Sequence, residues 1–286
     1  MDITIKNLDT GKSVTFDNKN FILNSHTLDN VSVQHNTSRT IKQVGEYIES
    51  TNVSSRPVNF IGYAIGLSPL DLASKKELLL NITSPFSEIE IIANNKYKIT
   101  GKCVNPVKWA NNWDNNNDKF VKFSIDLLCP STLWYALEPT TVALSPFVDT
   151  FNFPVSIVPP FSFGHRVPNK LTNIYNPTNV NLPLTITLTA TADVTNPTIT
   201  NTITNKSFIL NTTITPQDTI IITTEFANKT VTKNGKNIIG QVDLLNSSWL
   251  MLNAGLNTFT FSTENTKNDP NLLVNFSYNQ AYWGVV

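Results

Sequence analysis

Residues Val121–Tyr135 read V-K-F-S-I-D-L-L-C-P-S-T-L-W-Y, and this alternation sets the fold class of the first half of the chain. Every second residue is apolar, so that one strand face carries Val121, Phe123, Ile125, Leu127 and Cys129. A period of two with apolar residues on one face predicts a half-buried β-strand. Pro130 has no N–H to donate and therefore ends the strand. We expect this to be the last strand of one domain, followed by a hinge into a second domain.

The composition predicts a neutral protein with enough apolar residues for a core. The 286 residues suffice for one large or two ordinary domains, and 40% of them are hydrophobic. Only 15% are charged and the formal net charge is zero, so electrostatics give no reason to expect binding to nucleic acid. Asn and Thr replace charge, as in the run from Thr195 to Thr215. A neutral surface rich in Asn and Thr is suited to a subunit of an assembly. The high Asn and Thr content is explained equally well by an AT-rich genome, whose codons favour these residues.

The beginning of the sequence shows no basic region followed by an apolar run, so no signal peptide is predicted. No stretch of roughly 18 apolar residues is present, so no membrane span is predicted either. We therefore expect synthesis in a cytosol. In that compartment Cys103 and Cys129 are expected to be reduced core residues rather than a disulfide.

Residues 1–135 are predicted to form a small β-barrel or split β-barrel with one helix. A strand is expected at Arg56–Ile65, preceded by the polar segment 36–55, which is either a loop or a long hairpin. The helix should begin at Ser68-Pro69, which offers an N-cap and a proline at the first helical position. It should end before Ser84-Pro85.

Residues 136–180 and 181–286 are predicted to be an ordered connector and an antiparallel β-sandwich. The connector is rich in proline and phenylalanine and is too apolar for a flexible linker. In the sandwich, apolar and threonine residues alternate from Leu182 to Thr189, and Asn234-Gly235 predicts a tight hairpin turn. A second hairpin is expected to pair residues 248–252 with residues 258–261.

The sequence offers no catalytic, metal or cofactor site, and an enzyme is the least favoured class. The three histidines, His26, His35 and His165, do not have metal-ligand spacing, and no nucleotide-binding or hydrolase motif is present. The pattern Asp114-x-Asn116-x-Asp118 begins like a calcium loop, but it lacks the glycine and the glutamate that such a loop needs.

Trp109 and Trp113 are the candidate contact residues. They flank Ala110-Asn111-Asn112 and could stack on sugar rings. The alternative, which we favour because aromatic residues are enriched at interfaces, is that they close a barrel end or form a subunit contact.

The order of features along the whole chain resembles the distal tail proteins of long-tailed bacteriophages, a family of baseplate hub components. In the first half the similarity lies in Arg56–Gly62 (R-P-V-N-F-I-G), Lys75–Leu80, Tyr97–Gly101 (Y-K-I-T-G) and Phe123…Cys129-Pro130…Trp134. In the second half it lies in Asn196-Pro197, Phe208, Asp218–Ile222, Asn234-Gly235, Ser248–Leu252 and Gly255–Asn257. The motifs are individually loose, and their order and spacing carry the resemblance.

The resemblance implies a structural virion protein without catalytic residues or cofactors. It implies a homohexameric ring formed by the N-terminal domain, and a galectin-like C-terminal sandwich that points outward. The implied partners are the tail tube protein, the tail hub or tail-associated protein and the receptor-binding proteins. The implied location is the tail tip or baseplate of the virion, after synthesis in the cytoplasm of the host bacterium. The alternative is a carbohydrate-binding module that recognises host cell-wall glycans through the sandwich.

Overall fold

The computed structural model describes residues 2–144, 147–149, 164–166, 171–226, 228–264, 266 and 269–285. The chain forms two compact units. The first comprises Met1–Glu138 together with Ala281–Val286, and the second comprises Pro139–Gln280. The first unit is therefore discontinuous in sequence, because its final segment follows the whole of the second unit.

The first unit contains ten strands in one antiparallel sheet, a separate two-stranded hairpin and a single α-helix among its described residues. The elements are β1 (Ile3–Asn7), β2 (Ser13–Thr15), β3 (Phe21–His26), β4 (Val33–Ser38), β5 (Tyr47–Val53), β6 (Arg56–Ile65), α1 (Pro69–Ile82), β7 (Ile89–Ala93), β8 (Tyr97–Cys103), β9 (Lys108–Trp109), β10 (Phe120–Cys129), β11 (Trp134–Ala136) and, from the end of the sequence, a strand at Ala281–Tyr282. A 3₁₀ turn lies at Trp113–Asn115. The main path of the sheet is β2-β1-β7-β8-β10-β6-β3.

Strand β10 confirms the predicted alternation. Its five inward residues, Val121 to Cys129, are at most 1% exposed, whereas Lys122, Ser124 and Asp126 between them are half-buried. It is not the last strand of the unit, however. It pairs with β6 along its full length and with the end of β8, and β11 follows it. The alternation predicts burial of one face, but it carries no information on which strands lie beside it.

Two glycines allow strands and side chains to approach closely in this core. A Cβ on Gly62 would collide with the Ile22 carbonyl oxygen and would lie 2.8 Å from the Phe123 ring. A Cβ on Gly101 would lie 2.7 Å from the Leu128 carbonyl oxygen and 2.8 Å from the Cys129 sulfur. Both glycines are thus required by packing rather than by an unusual backbone conformation.

Helix α1 begins and ends where the sequence predicted. The Ser68 hydroxyl accepts a hydrogen bond from the backbone N–H of Asp71 at 3.2 Å, and Pro69 opens the first turn. No sequence pattern predicted the contact at its C-terminal end. There, the fully buried side chain of Asn7 donates to the carbonyls of Asn81 and Ile82, which have no partner within the helix.

The second unit is built from antiparallel sheets. Its strands are β12 (Thr140–Ala143), β13 (Phe147–Asp149), β14 (Gly164–Arg166), β15 (Thr172–Asn176), β16 (Leu182–Pro183), β17 (Thr185–Ala190), β18 (Val194–Thr195), β19 (Thr198–Asn201), β20 (Lys206–Ile209), β21 (Thr213–Ile214), β22 (Thr219–Glu225), β23 (Asn228–Lys233), β24 (Lys236–Asn237), β25 (Met251–Leu252), β26 (Gly255–Ser262) and β27 (Leu272–Tyr278). The strand at Ala281–Tyr282 in the first unit is then β28. A six-stranded sheet has the order β12-β27-β17-β22-β23-β24, and a four-stranded sheet has the order β15-β26-β19-β20.

The two larger sheets share an apolar core. Phe259 of the four-stranded sheet meets Phe276 of the six-stranded sheet edge to face, with ring centroids 4.7 Å apart. Both rings are fully buried. The predicted fold class is confirmed: the chain is mainly β, with antiparallel sheets and one helix in the described residues.

The hairpin predicted from residues 248–252 and 258–261 is wrong. Strand β25 pairs with β16, whereas β26 pairs with β15 and β19, so the chain changes sheets between them. The side chain of Asn257 holds this crossing, since it accepts from Asn253 N–H and donates to the carbonyls of Asn253 and Gly255. The hairpin at Asn234-Gly235 is present, and both residues have the positive φ that the turn requires.

The predicted domain boundaries at 135/136 and 180/181 remain a proposal. The structure assigns residues 140–143 to the sheet of the second unit and residues 281–282 to the first unit, which no periodicity in the sequence indicates. Residues 145–146, 150–163 and 167–170 of the predicted connector 136–180 lie outside the described residues. His165 lies in strand β14.

Candidate functional site

No cluster of three or more metal-ligating side chains is present in the described residues. Over the same residues, none of the helical structure combines the length and hydropathy required for a membrane span. The features that remain as candidates are interaction surfaces, and the most prominent is the hairpin formed by β4 and β5. We call residues 33–53 the arm.

The arm is a regular antiparallel ribbon. Val33 pairs with Val53 and Ser38 with Tyr47, with one bulge where the register shifts after Asn36. Its side chains also pair across the strands, as in the hydrogen bond of 2.9 Å between His35 Nδ1 and Thr51 Oγ1. The sequence had left a loop and a long hairpin as alternatives for this segment, and the structure shows the hairpin.

Every residue in both strands of the arm is exposed. The exposed set includes large apolar side chains, namely Val33, Ile41, Val44, Tyr47, Ile48 and Val53. Ile41 and Val44 at the tip are 95% and 100% exposed. A two-stranded ribbon that buries neither face is marginally stable in water, and exposed apolar side chains grouped in one place mark interaction surfaces. The arm therefore has the properties of a segment that packs on another molecule.

The two candidate tryptophans lie in different environments. Trp109 is half-buried, packs against the core of the first unit and pairs with Phe123 in register. Trp113 is 73% exposed in the 3₁₀ turn. Its neighbours Asp114 and Asn115 line a surface cavity of about 320 Å³. Only Trp113 has the exposure that stacking on a ligand or a partner requires.

Polar side chains on the outward face of β10 and β6 pair with one another. The Asp126 carboxylate accepts hydrogen bonds from Lys108 Nζ at 2.8 Å and from Asn59 Nδ2 at 2.7 Å. These two contacts, the bond to Lys108 first, lower the pKa of Asp126 from its usual value. A carboxylate that is held ionised by a lysine and an amide is not poised to exchange protons, so Asp126 is a poor candidate for a catalytic acid or base.

Arg56 is a buried cation at the start of β6. Its Nε donates to the Thr132 carbonyl at 2.9 Å, Nη2 donates to the Trp283 carbonyl at 2.6 Å, and Nη1 donates to the Leu28 carbonyl. Arg56 is completely inaccessible to solvent, and in the described parts of the chain no carboxylate forms an ion pair with it. Burial lowers the pKa of its guanidinium, although backbone carbonyl dipoles from three segments solvate the charge.

Cys103 and Cys129 are buried free thiols, in agreement with the expectation that they are reduced core residues. Burial raises the pKa of each thiol to about 12. A thiol with this pKa is almost wholly protonated at neutral pH and is a poor nucleophile. Neither cysteine is therefore a candidate for covalent catalysis.

These observations define the class of protein: a two-unit β-protein with exposed interaction surfaces and no catalytic constellation in the residues described. Residues 177–282 match the family model for the siphovirus-type tail component, C-terminal domain. This match confirms the predicted resemblance to phage distal tail proteins.

Solved structures extend the similarity in fold to the whole chain. The crystal structure of the Dit protein of phage SPP1, described as a paradigm of the hub adsorption apparatus in phages that infect Gram-positive bacteria, aligns with a TM-score of 0.67 at 14% identity. The alignment covers 98% of this chain and 99% of that chain. The baseplate of phage P2 in its activated conformation with calcium aligns with a TM-score of 0.58 at 13% identity, covering 99% of both chains. No curated protein matches this sequence.

The comparisons support a structural role in a phage tail and do not favour the carbohydrate-binding alternative. The sequence did not indicate two features of the first unit, the complete exposure of the arm and the burial of Arg56. The arm is polar in sequence and resembles a loop. Arg56 precedes a proline at a strand start, and no local pattern shows that its three acceptors come from distant segments.

Proposed function

We propose that the protein is an adaptor at the tip of a phage tail, which assembles into a ring of six copies through its first unit. The observation that carries this proposal is the arm. A ribbon that exposes both faces and six large apolar side chains gains stability only when a second molecule covers it.

A second copy of the chain is the simplest partner for the arm. The arm of one copy would pack on a different surface of the next copy, which is a heterologous contact, and such contacts close into a ring when the rotation fits. The formal net charge of zero keeps long-range repulsion between copies small. The number six comes from the family resemblance.

In this proposal the ring joins the tail tube protein to the hub or tail-associated protein and the receptor-binding proteins. The likeness to the SPP1 protein, described as part of a hub adsorption apparatus, supports this assignment. The protein acts in the virion, at the tail tip or baseplate, after synthesis in the cytoplasm of the host bacterium. Its role is structural, without catalysis or a cofactor.

We further propose that Trp113 is a contact residue of this assembly. It is the exposed member of the predicted pair Trp109 and Trp113, and it lies beside a surface cavity. Trp109 packs against the core of the first unit and is not proposed as a contact.

The test is the mass of the full chain in solution, measured by light scattering over a range of concentrations and checked by negative-stain imaging. Six copies of the 31.8 kDa chain give a ring of about 190 kDa. The arm variant carries Ile41→Asp and Ile48→Asp. The matched control carries Leu244→Asp and Leu245→Asp in the second unit, where the exposures of 64% and 97% resemble the 61% and 95% of Ile48 and Ile41.

We expect the wild type and the control to form the ring and the arm variant to remain a monomer with an unchanged unfolding temperature. An arm variant that assembles as well as the control would contradict the role of the arm. A wild-type chain that stays monomeric at high concentration, and is absent from rings when tail tube protein is added, would contradict the adaptor function.

A further inference from the structure

Strand β28 completes the first unit although the chain reaches it only after the second unit. It lies on the free edge of β11, where Trp134 pairs with Tyr282 and Tyr135 with Ala281. The other edge of β11 pairs with the start of β8. We call residues 281–285 the returning segment.

The returning segment contacts the buried parts of the first unit through both backbone and side chains. The Trp283 carbonyl is one of the three acceptors that solvate the buried guanidinium of Arg56. The ring of Tyr282 meets that of Tyr97 edge to face, with centroids 4.9 Å apart. Ala281 is fully buried. This short segment thus supplies a paired strand, an aromatic contact and a hydrogen-bond acceptor for the buried Arg56 guanidinium.

Without the returning segment the first unit is left with an incomplete core. One N–H of the Arg56 guanidinium loses its acceptor, and a buried charged group that lacks a partner is strongly unfavourable. The edge of β11 loses its strand, and Tyr97 loses its covering ring. The long β10–β6 pairing and the main path of the sheet lie within residues 2–138 and do not include β28. These residues can therefore present the edge of β11 to which the missing strand adds.

We propose that the edge of β11, together with Arg56 and Tyr97, is a peptide-binding groove whose ligand is the returning segment of the same chain. The groove binds a short extended peptide by strand addition. An aromatic side chain of the peptide covers Tyr97, and one of its backbone carbonyls accepts a hydrogen bond from the Arg56 guanidinium. Because the ligand is encoded after the second unit, the first unit is completed only after the second has been synthesised. Where the first unit builds the proposed ring, chains that stop within the second unit are excluded from it.

The test uses residues 1–280 with and without a synthetic peptide of residues 281–286, A-Y-W-G-V-V, and the full chain as reference. Amide hydrogen exchange is followed at residues 133–136 in the groove and at residues 185–190 in the second unit, at a concentration where every variant is monomeric. Hydrogen exchange reports local opening of the backbone and does not depend on ring formation. A negative result for the groove proposal is therefore distinguishable from a negative result for the proposed ring.

We expect exchange at residues 133–136 to be faster by at least about tenfold in the shortened chain, with residues 185–190 unchanged, and the peptide to restore protection. A peptide that carries Tyr282→Ser should restore less protection. The full-length variant Tyr282→Ala should reproduce part of the effect, which keeps the test valid if the shortened chain does not fold. Equal protection in the shortened and full chains, or no response to the peptide in a folded shortened chain, would overturn the proposal.

Discussion

In this protein, asparagine occupies many of the positive-φ backbone positions that glycine usually occupies. Among the described non-glycine residues with positive φ, all but Lys42 are asparagine: Asn18, Asn94, Asn95, Asn196, Asn205 and Asn234. The asparagine side chain tolerates this region because it can hydrogen-bond to the nearby backbone. The sequence offered an assembly surface or codon usage as explanations of the asparagine content. Turn formation is a third explanation of the asparagine content, and it is recognised only from the backbone φ angles.

Gly101 provides a test of close packing at a single residue. The change Gly101→Ala places a methyl group 2.7 Å from the Leu128 carbonyl oxygen and 2.8 Å from the Cys129 sulfur, so β8 and β10 must separate. We expect a loss of about 1–3 kcal/mol in the free energy of unfolding, measured by urea denaturation. Gly240→Ala is the control, since no atom lies within 4 Å of the added carbon and little change is expected. Equal effects of the two changes would refute the packing argument.

The two cysteines should resist labelling until the protein unfolds. Their thiols are buried and have a pKa of about 12, so very little thiolate exists at neutral pH. We expect slow reaction of the native chain with a thiol reagent, and rapid labelling of both cysteines in denaturant without reductant. Mass spectrometry counts the labels. A native mass two hydrogens lower than the sequence predicts, with no labels after unfolding, would instead show a disulfide.

At the level of elements, the sequence predicted those whose signal is local. Strand β10, helix α1 and the turn at Asn234-Gly235 have alternation, caps or turn residues of their own, and each is found where it was expected. Strands of two residues, such as β18 and β21, are too short to show a period and were not predicted. The apolar residues of the arm do not alternate in a way that indicates a buried face, and neither face of the arm is buried.

The hairpin of β22 and β23 should lose stability in acid. The Asp218 carboxylate lies 2.9 Å from Lys233 Nζ and also accepts from Asn234 Nδ2 and Thr215 N–H. These bonds, the one to Lys233 first, lower the pKa of Asp218 below its usual value of 3.8. Because the folded-state pKa is the lower one, the stabilisation is present above pH 3.8 and disappears as the pH falls through the folded-state pKa.

The variant Asp218→Asn measures this contribution. We expect a lower unfolding temperature than the wild type at pH 7 and a smaller difference at about pH 2, because there the carboxyl is already protonated in the unfolded state, which offsets part of the stabilisation. Differential scanning calorimetry at the two pH values gives the comparison. A difference between the two proteins that is the same at both pH values would show that Asp218 acts through packing and not through its charge.

At the scale of the whole molecule, a simple truncation does not isolate the first unit. The sequence predicted that residues 1–135 form the ring-building domain, but such a fragment lacks β28 and one ligand of Arg56. We expect a chain in which a short Gly/Ser linker replaces residues 139–280 to fold and to show cooperative thermal unfolding. A fragment ending at residue 140 should unfold at a lower temperature. Similar unfolding temperatures for the two would show that β28 is dispensable.

The general division into two β-rich halves was accessible from sequence because composition and periodicity change along the chain. The interleaving of the halves was not, because the pairing of Trp134 with Tyr282 joins positions that are separated by the whole second unit. No local pattern encodes such a pairing. The same limit applies to Arg56, whose buried position becomes explicable only when its three acceptors are brought together.

The discontinuity of the first unit has a consequence for inheritance. In a protein whose domains follow one another, a single genetic crossover in the linker exchanges one domain for a relative's. Here the second unit lies between Glu138 and Ala281, both of which belong to the first. A crossover at the 138/139 junction alone would also replace the returning segment, and the foreign segment would have to fit beside β11 and Arg56. Exchange of the second unit without the returning segment therefore requires two crossovers, one on each side of the unit.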